Sequence, residues 1–391
     1  AIIVVAGTET VYIDGERLKR GENNDYVIDY SLAEITFTIN KLITSASRIT
    51  VDFEYMDRQY ERSLVGGNAT TKFFDDKLKL QFNYFTEGDD ENNPIDLVLT
   101  DADKKILEEA GDDRFKAVKS GVTLAQEDSS GKRVGTYTKV DTVINSNDYS
   151  YYYYDPGADS SIYNVVFSFV GTGLGDYQRI SIGNFEFVGV GNGDYLPVKF
   201  IPMPQQKQLG NIVLEATPWK NLSLNLEIAG SFFNKNKFSN LDNGDNFGRA
   251  HNISLKLDNS KIDIGSLSLG LIGLSYRERY VQDRFSSLDR YNTIEYRRDY
   301  NIINTSPQNE TLREAKLFLQ PIEQLTADLN YGSLKRGEVF SSNRFFGKVK
   351  LNKTKEYRAK YNYDYVSTVD IPLTSIWFKQ EGIASYTFGK F

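Results

Sequence analysis

Cysteine is absent from the 391 residues, and histidine occurs once, as His251. Without cysteine the chain has no disulfides, thiolate metal sites, iron–sulfur clusters or cysteine nucleophiles. A single histidine also excludes metal centres built on two or three imidazoles. Long apolar runs are missing too, since none approaches about 18 residues. No transmembrane helix is therefore predicted, whereas a membrane β-barrel needs no such run.

Basic residues are outnumbered, with 46 Lys and Arg against 53 Asp and Glu, and the formal net charge is −7. Such a chain is poorly suited to hold phosphate backbones, so we expect no nucleic-acid partner. Hydrophobic residues make up 40% of the sequence and charged residues 25%, which excludes wholesale disorder.

Residues 1–60 have the pattern of a small N-terminal β module. Short β-branched and aromatic runs are separated by turn signals, and Asp14-Gly15 is a strong hairpin signal. The runs 26–30, 35–38 and 49–55 have the composition of strands. The pattern changes beyond this module, over residues 61–391.

There the dominant pattern is alternation of apolar and polar residues. It is strict in 78–84, 222–229, 253–257 and 357–365. Such alternation predicts strands with one apolar and one polar face. At about 9–11 residues for each membrane-spanning strand, the sequence from residue 63 onward has room for roughly a dozen strands.

The connections between these segments alternate in length. Short turns are predicted near 75–76, 218–221, 321–324 and 352–355, and long polar connections over 234–248, 281–290, 335–343 and 366–375. Short turns at one end and longer loops at the other are a feature of outer-membrane barrels. We therefore predict an all-β fold, an antiparallel up-and-down meander that forms an outer-membrane β-barrel or an arc of a larger one.

A long excursion at about 87–160 interrupts the meander. Within it, Thr100 as N-cap, acidic residues in the first turn and Gly111 at the end predict a short helix. After it, the pattern Gly-x-Gly-x-Gly-Asp-Tyr occurs at 171–177 and again at 189–195, which favours a duplicated hairpin.

No group of residues points to catalysis. His251 has no nucleophile or carboxylate at a spacing that forms a triad. The glycine loops lack the helix that a dinucleotide site requires, and we interpret them as tight turns, with calcium-binding β-roll turns as the alternative. We interpret the acidic clusters as solvated loops. We interpret the Arg- and Tyr-rich stretch 276–300 as a cross-strand charge ladder. We predict no enzyme activity, no catalytic, cofactor-binding or metal-binding residues, and no cofactor.

The segments 7–15, 20–21, 25–30 and 34–37 resemble a β module of very large, mostly uncharacterised outer-membrane and cell-surface proteins of Gram-negative bacteria. The Gly-Asp-Tyr loops and residues 238–246 resemble later parts of the same proteins. More distantly, the Asp-Tyr-x-Ile-Asp-Tyr segment is similar to the giant barrel that forms the translocon of the type IX secretion system. The family usually has a Gly-containing turn after this segment, whereas Ser31-Leu32-Ala33 stands here.

The chain starts at Ala1 without the features of a signal peptide, which is typical of a processed or excised chain. Residues 384–391 alternate and finish on Phe391, as closing strands of bacterial outer-membrane proteins commonly do, and a chain cut from a longer protein is an equal alternative.

These features lead us to expect a non-enzymatic protein of the outer membrane or cell surface, acting in a pore, in transport or in a secretion assembly. The expected partners are membrane lipid or lipopolysaccharide and other envelope proteins. The alternative is a soluble extracellular surface-layer or adhesive protein, in which the apolar face packs on a second sheet.

Overall fold

A computed structural model describes residues 3–56, 59–95, 97–129, 131–144, 147–265, 267–353 and 357–386. The predicted all-β antiparallel meander is confirmed, with one eleven-stranded sheet as its largest element. Within the described residues this sheet is open and has the form of an arc. The described residues include no helix with both the length and the apolar character needed to cross a membrane.

The N-terminal residues form seven short strands around a small core of Val11, Ile13, Leu18 and Tyr26. The predicted hairpin is present, with Asp14 and Gly15 both at positive φ. In the turn formed by Ser31-Leu32-Ala33, Ala33 adopts a φ of 53°. The strands are β1 (Ile3–Val4), β2 (Thr10–Ile13), β3 (Glu16–Arg17), β4 (Tyr26–Asp29), β5 (Glu34–Phe37), β6 (Ile49–Asp52) and β7 (Tyr55–Met56).

The large sheet begins with β8 (Tyr60–Phe73) and β9 (Leu78–Pro94), and residues 95–205 then leave it as one insertion. This insertion starts and ends later than the predicted 87–160. The acidic residues 89–91, which we predicted to be the first part of the insertion, belong to β9. There the carboxylate of Asp89 accepts hydrogen bonds of 2.7 and 3.1 Å from the Arg62 guanidinium. Charged residues that pair across a sheet were therefore mistaken for a loop.

Helix α1 (Asp101–Ala110) lies in the insertion where it was predicted. Thr100 Oγ1 accepts a hydrogen bond from the Asp103 backbone N–H at 3.1 Å, and the Asp103 carboxylate accepts one from the Thr100 N–H at 3.1 Å. This reciprocal capping satisfies two amides at the helix start.

The rest of the insertion contains ten strands, most of them in two four-stranded sheets with aromatic side chains packed between them. Tyr151, from the run of four tyrosines, stacks on Phe187 with 4.6 Å between ring centres, and Phe167 stacks on Phe185 at 4.5 Å. The strands are β10 (Val118–Ser120), β11 (Val122–Leu124), β12 (Tyr137–Ile144), β13 (Asn147–Tyr154), β14 (Tyr163–Val165), β15 (Ser168–Phe169), β16 (Tyr177–Ser181), β17 (Asn184–Phe187), β18 (Tyr195–Leu196) and β19 (Val198–Phe200).

Nine further strands complete the large sheet, each antiparallel to the one before it. A 3₁₀ turn (Asn243–Asp245) and helix α2 (Tyr296–Asp299) lie in the connections between them. The strands are β20 (Gln206–Trp219), β21 (Leu222–Asn234), β22 (Phe247–Ile264), β23 (Leu267–Val281), β24 (Glu310–Ile322), β25 (Leu325–Arg336), β26 (Phe340–Lys353), β27 (Tyr357–Asp370) and β28 (Leu373–Tyr386).

Among the described residues, one end of this sheet carries only short connections, such as 74–77, 220–221 and 323–324. The predicted turn at 352–355 lies partly outside the described residues. At the other end, 95–205, 235–246 and 282–309 are long, as expected for that end. Pro218 and Pro321 each lie within a register shift, between Ala216 and Trp219 and between Leu319 and Ile322. Proline has no N–H to donate to the ladder, which explains the irregularity at both places.

The long connections predicted at 335–343 and 366–375 are wrong. Residues 337–339 join β25 to β26, and Ile371-Pro372 joins β27 to β28. The polar residues in these stretches pair between strands instead, and the buried hydroxyls of Ser342 and Thr368 lie 3.0 Å apart. Polarity was taken as a sign of a loop where it marks the polar face of the sheet.

Candidate functional site on the polar face of the sheet

One face of the large sheet is a continuous apolar surface. Its side chains stand directly opposite one another in adjacent strands, so that each row crosses many strands. One row contains Leu222, Leu257, Leu274, Leu317 and Leu329, and the next contains Leu224, Leu255, Tyr276, Ala315, Tyr331, Phe345, Tyr365 and Phe378. Many large side chains on this face are exposed, for example Leu80 at 37% and Ile376 at 62%, and others in these rows are partly exposed.

The opposite face of the same strands is polar. Asn83 donates to the side-chain oxygen of Asn211 at 2.8 Å, and Asn211 donates to Glu227 Oε1 at 2.6 Å, so that three strands are joined by side chains. Arg277 donates from Nε to Asn252 Oδ1 at 2.7 Å on the next pair of strands. The strict alternation in the sequence thus separates two surfaces of opposite character.

The connection between β23 and β24, residues 282–309, folds back onto this polar face. Tyr296 and Tyr300 of the connection are buried against Leu312, Leu334 and Phe340 of the sheet. This small apolar cluster fixes the connection over the strands that it joins, and we call residues 282–309 the covering segment.

A glycine makes room for this contact. A Cβ added to Gly332 would lie 2.1 Å from the Tyr300 hydroxyl oxygen, so that any larger residue there must displace the ring. Burial raises the pKa of the Tyr300 hydroxyl, and burial also raises that of Tyr296, with the nearby Glu310 carboxylate adding to the effect. Both hydroxyls therefore stay protonated.

A buried charge cluster lies under the covering segment. Glu310 accepts from Arg279 Nη2 at 2.9 Å and from the Tyr296 hydroxyl at 2.6 Å, and its Oε2 lies 3.1 Å from Arg336 Nε. Arg336 also donates to the backbone carbonyls of Asn304 and Ser306, at 2.6 and 3.1 Å. One carboxylate and two guanidinium groups thus bind the covering segment to three neighbouring strands.

A second arginine makes a similar link. Arg344 forms a bidentate pair with Asp364 on the next strand, with both distances at 2.8 Å, and its third nitrogen lies 2.8 Å from Asp299 of the covering segment. Burial raises the pKa of Asp299, and the charge of Arg344 opposes this shift. Bidentate charged contacts of this kind are the strongest that side chains form.

Between the covering segment and the sheet there is a cavity of about 470 Å³. Its walls are mainly apolar, with Phe85, Leu209, Phe285 and Leu288 among the residues that line it, and Arg277 and Glu227 lie at its polar side. An apolar cavity with a few polar groups is the usual form of a ligand-binding site. We found no signal for it in the sequence because its walls come from strands far apart in the chain.

The N-terminal module contacts the outer side of the covering segment. Arg48 lies 3.1 Å from Asp14 within the module and 3.3 Å from Glu295 of the segment. Arg290 of the segment forms an ion pair with Asp52 of strand β6. Exposed pairs of this kind are individually weak, about 0–1 kcal/mol each.

Residues 1–57 match the model of a family described as a domain of unknown function (DUF8818). No curated protein matches the chain. The matched residues cover strands β1 to β7 and end shortly before β8 begins.

His251 lies on β22 in phase with Ile253, next to the loop end of the sheet. Its Nε2 lies 3.7 Å from Glu278 Oε1, and its ring stacks on Tyr280 with 5.6 Å between centres. Glu278 also accepts from Arg313 at 2.7 Å. These charged residues form a polar border to the apolar face.

The two Gly-x-Gly-x-Gly-Asp-Tyr loops pack against each other and exchange hydrogen bonds. Asp176 Oδ1 accepts from the Gly191 N–H at 2.9 Å, and Asp194 Oδ1 accepts from the Gly173 N–H at 3.0 Å. Gly175 and Gly193 are joined by a pair of backbone hydrogen bonds of 2.8 Å. Each aspartate thus closes the other loop, which accounts for the glycines and the carboxylates as turn structure.

The other polar groups noted in the sequence have local partners. The ladder predicted for the stretch 276–300 is present only at its start, at Arg277, which lies 3.5 Å from Glu314, and at Arg279, whereas residues 282–300 belong to the covering segment. Asp112 of an acidic cluster lies 3.0 Å from Lys235. Across the part of the chain that the structure describes, no three His, Cys, Asp or Glu side chains are grouped as a metal ion requires.

Proposed function

We propose that the eleven-stranded sheet is the wall of a β-barrel in the outer membrane, or an arc of one, with its apolar face in lipid and its polar face toward a water-filled lumen. The apolar face carries this proposal, because it extends over the sheet and its large side chains remain exposed. Contiguous exposed apolar surfaces of this extent are rare in soluble monomers and mark membrane or protein contacts.

The dimensions of the strands support the same arrangement. The eleven strands are 12 to 18 residues long. A tilted membrane-spanning strand needs about 9–11 residues, and strands of soluble sheets are usually about 5–6 residues long. All three long connections lie at one end of the sheet, which is also a feature of outer-membrane barrels.

The covering segment gives the lumen a function in this proposal. Held by Glu310, Arg336 and Arg344, it narrows the passage along the polar face, as expected of a pore or an export channel rather than an enzyme. Lipid or lipopolysaccharide is then the partner of the apolar face, and other envelope proteins are partners at the loop end.

The soluble surface-layer or adhesive protein is the alternative. It requires a second sheet or another protein over the apolar face, and within the described ranges the large side chains of that face stay open. A water-soluble protein with this surface would aggregate unless a partner covered it.

Single cysteines distinguish the two, because the chain has none of its own. We would label Leu224→Cys on the apolar face and Asn225→Cys on the polar face with a bimane probe, in protein reconstituted into liposomes. Lipid-bound nitroxide should quench the probe at 224 and leave the matched control at 225 unchanged, whereas aqueous iodide should quench the control more strongly. Equal lipid quenching at both positions, or purification from the cell envelope without detergent, would contradict the barrel.

A further inference from the structure

Among the described residues, neither edge strand of the large sheet has a second neighbouring strand. Strand β8 pairs with β9 alone and β28 with β27 alone among the described residues, and each edge strand is 14 residues long. Neither contains proline, and the only register shift in their pairing lies between Tyr60 and Arg62 at the start of β8. Soluble proteins blunt long edges with proline and bulges, and these edges lack both along most of their length.

In lipid such edges are not tolerated. About half of the backbone N–H and C=O groups of an edge strand point away from its partner, and each one left unsatisfied in a bilayer costs several kcal/mol. If the sheet is a barrel wall, as proposed above, β8 and β28 must therefore pair with something.

The number of strands decides what this partner is. Because consecutive strands are antiparallel, the first and the eleventh run in the same direction. Direct closure of β28 on β8 would be parallel, and so would the contact of β28 with β8 of a second copy inserted in the same orientation. Bacterial single-chain barrels have an even number of antiparallel strands.

We infer that the wall is completed by an odd number of added strands, supplied by polypeptide outside these 391 residues, which run antiparallel to both β8 and β28. The described strands outside the large sheet are only two to eight residues long, too short to span a membrane. The occupant is an extended segment with alternating pattern, whose apolar residues continue the rows that include Ala69 and Phe378 and whose polar residues face the lumen. This inference rests on the proposed function.

Disulfide formation tests it in the cysteine-free chain refolded into liposomes. Ala69→Cys in β8 is combined in turn with Thr374→Cys, Gln380→Cys or Ala384→Cys in β28. We expect no disulfide between β8 and β28. An intramolecular disulfide would mean parallel self-closure, a disulfide-linked dimer would mean closure by a second copy, and either result overturns the inference.

A peptide then serves as the added strand. The probe has the sequence of residues 78–94 with Phe82→Cys, because Phe82 is the register partner of Ala69 in the antiparallel β8–β9 pair. We expect this peptide to cross-link to Ala69→Cys and to slow hydrogen exchange of the β8 amides, while a peptide of the same composition in scrambled order does neither. Equal cross-linking of both peptides, or none with the matched one, contradicts strand addition.

The intrinsic fluorescence of the two tryptophans verifies that each variant folds, since both lie in the large sheet. Lipid quenching at Leu224→Cys measures whether the apolar face lies in lipid, and this measurement does not depend on how the edges of the sheet are paired. Loss of that quenching overturns the proposed function, whereas retained quenching together with β8–β28 disulfides overturns only the added strands.

Discussion

Replacing Leu255 by Arg places a charge at the centre of the apolar face. Leu255 lies in the middle of the 18-residue strand β22, between Leu224 and Tyr276 in its row, and is 41% exposed. If this face lies in lipid, Leu255 is near the bilayer midplane. The adjacent residue, Ser254, points to the polar face and provides the matched control.

The expected magnitude follows from this depth. An arginine on the lipid face of a barrel costs about 2–4 kcal/mol at the midplane and about 0–1 kcal/mol near the interface. Comparing Leu255→Arg with Leu255→Ala removes the contribution of lost leucine packing, so the remaining difference is due to the charge. We expect about 2–4 kcal/mol, or roughly 30- to 700-fold in the unfolding equilibrium.

Urea unfolding in phosphatidylcholine liposomes measures this difference through Trp219 and Trp377, both in the large sheet. Ser254→Arg, compared with Ser254→Ala, should change the free energy of unfolding by no more than about 0.5 kcal/mol. Thr311→Arg, on the apolar side but near the loop end, should cost about 0–1 kcal/mol. A Leu255→Arg cost no larger than that of Ser254→Arg would refute the reasoning.

Other features allow independent tests. Glu310→Gln leaves two buried guanidinium groups without their carboxylate and should destabilise the covering segment by about 3–5 kcal/mol. Glu278→Gln, in the more exposed pair, is the control and should cost below about 1 kcal/mol. The rate of protease cleavage within 282–309 measures the stability of the segment in both variants. Ala33→Gly relieves a positive φ and should stabilise the N-terminal module by about 0.5–1 kcal/mol, measured by hydrogen exchange of β4 and β5, while Ala46→Gly, without a positive φ, should destabilise it. Burial opposes ionisation of Glu9, but hydrogen bonds from Tyr30 and the charge of Arg20 lower its pKa below the ordinary 4.5. A folded-state pKa that is lowered gives stability above that ordinary value, which is lost as the pH falls through the folded value. The protection factors of the β2 amides, which correct for the intrinsic slowing of exchange at low pH, should therefore fall on acidification from pH 6 to 3, and Glu9→Gln should remove that dependence.

Much of the fold followed from period-two alternation, because alternation determines which side chains share a face. Its four strict segments lie in β9, β21, β22 and β27, and the Asp14-Gly15 turn and the cap at Thr100 located a hairpin and the helix. It failed at 335–343 and 366–375, where Ser342 and Thr368 are polar because they are buried against each other between strands. Polarity alone does not distinguish a loop from the polar side of a sheet.

The candidate site was not predictable for a different reason. Glu310, Arg336 and Arg344 were unremarkable charged residues in the sequence, and each gains its role from partners at least 14 residues away in the chain. Only the register of the sheet brings them together under the covering segment. Alternation predicts the face on which a residue lies. The register depends on turn lengths and bulges, which the sequence predicts less accurately.

The exchange of hydrogen bonds between the two glycine loops makes the duplicated hairpin a single structural unit. Asp176 and Asp194 each accept a hydrogen bond from the other copy, so deletion of one copy removes the carboxylate that closes the remaining loop. Substitution of one aspartate should therefore disturb both loops, and an engineered replacement has to exchange the two loops together. The two copies of the loop therefore depend on each other, and one cannot replace the other.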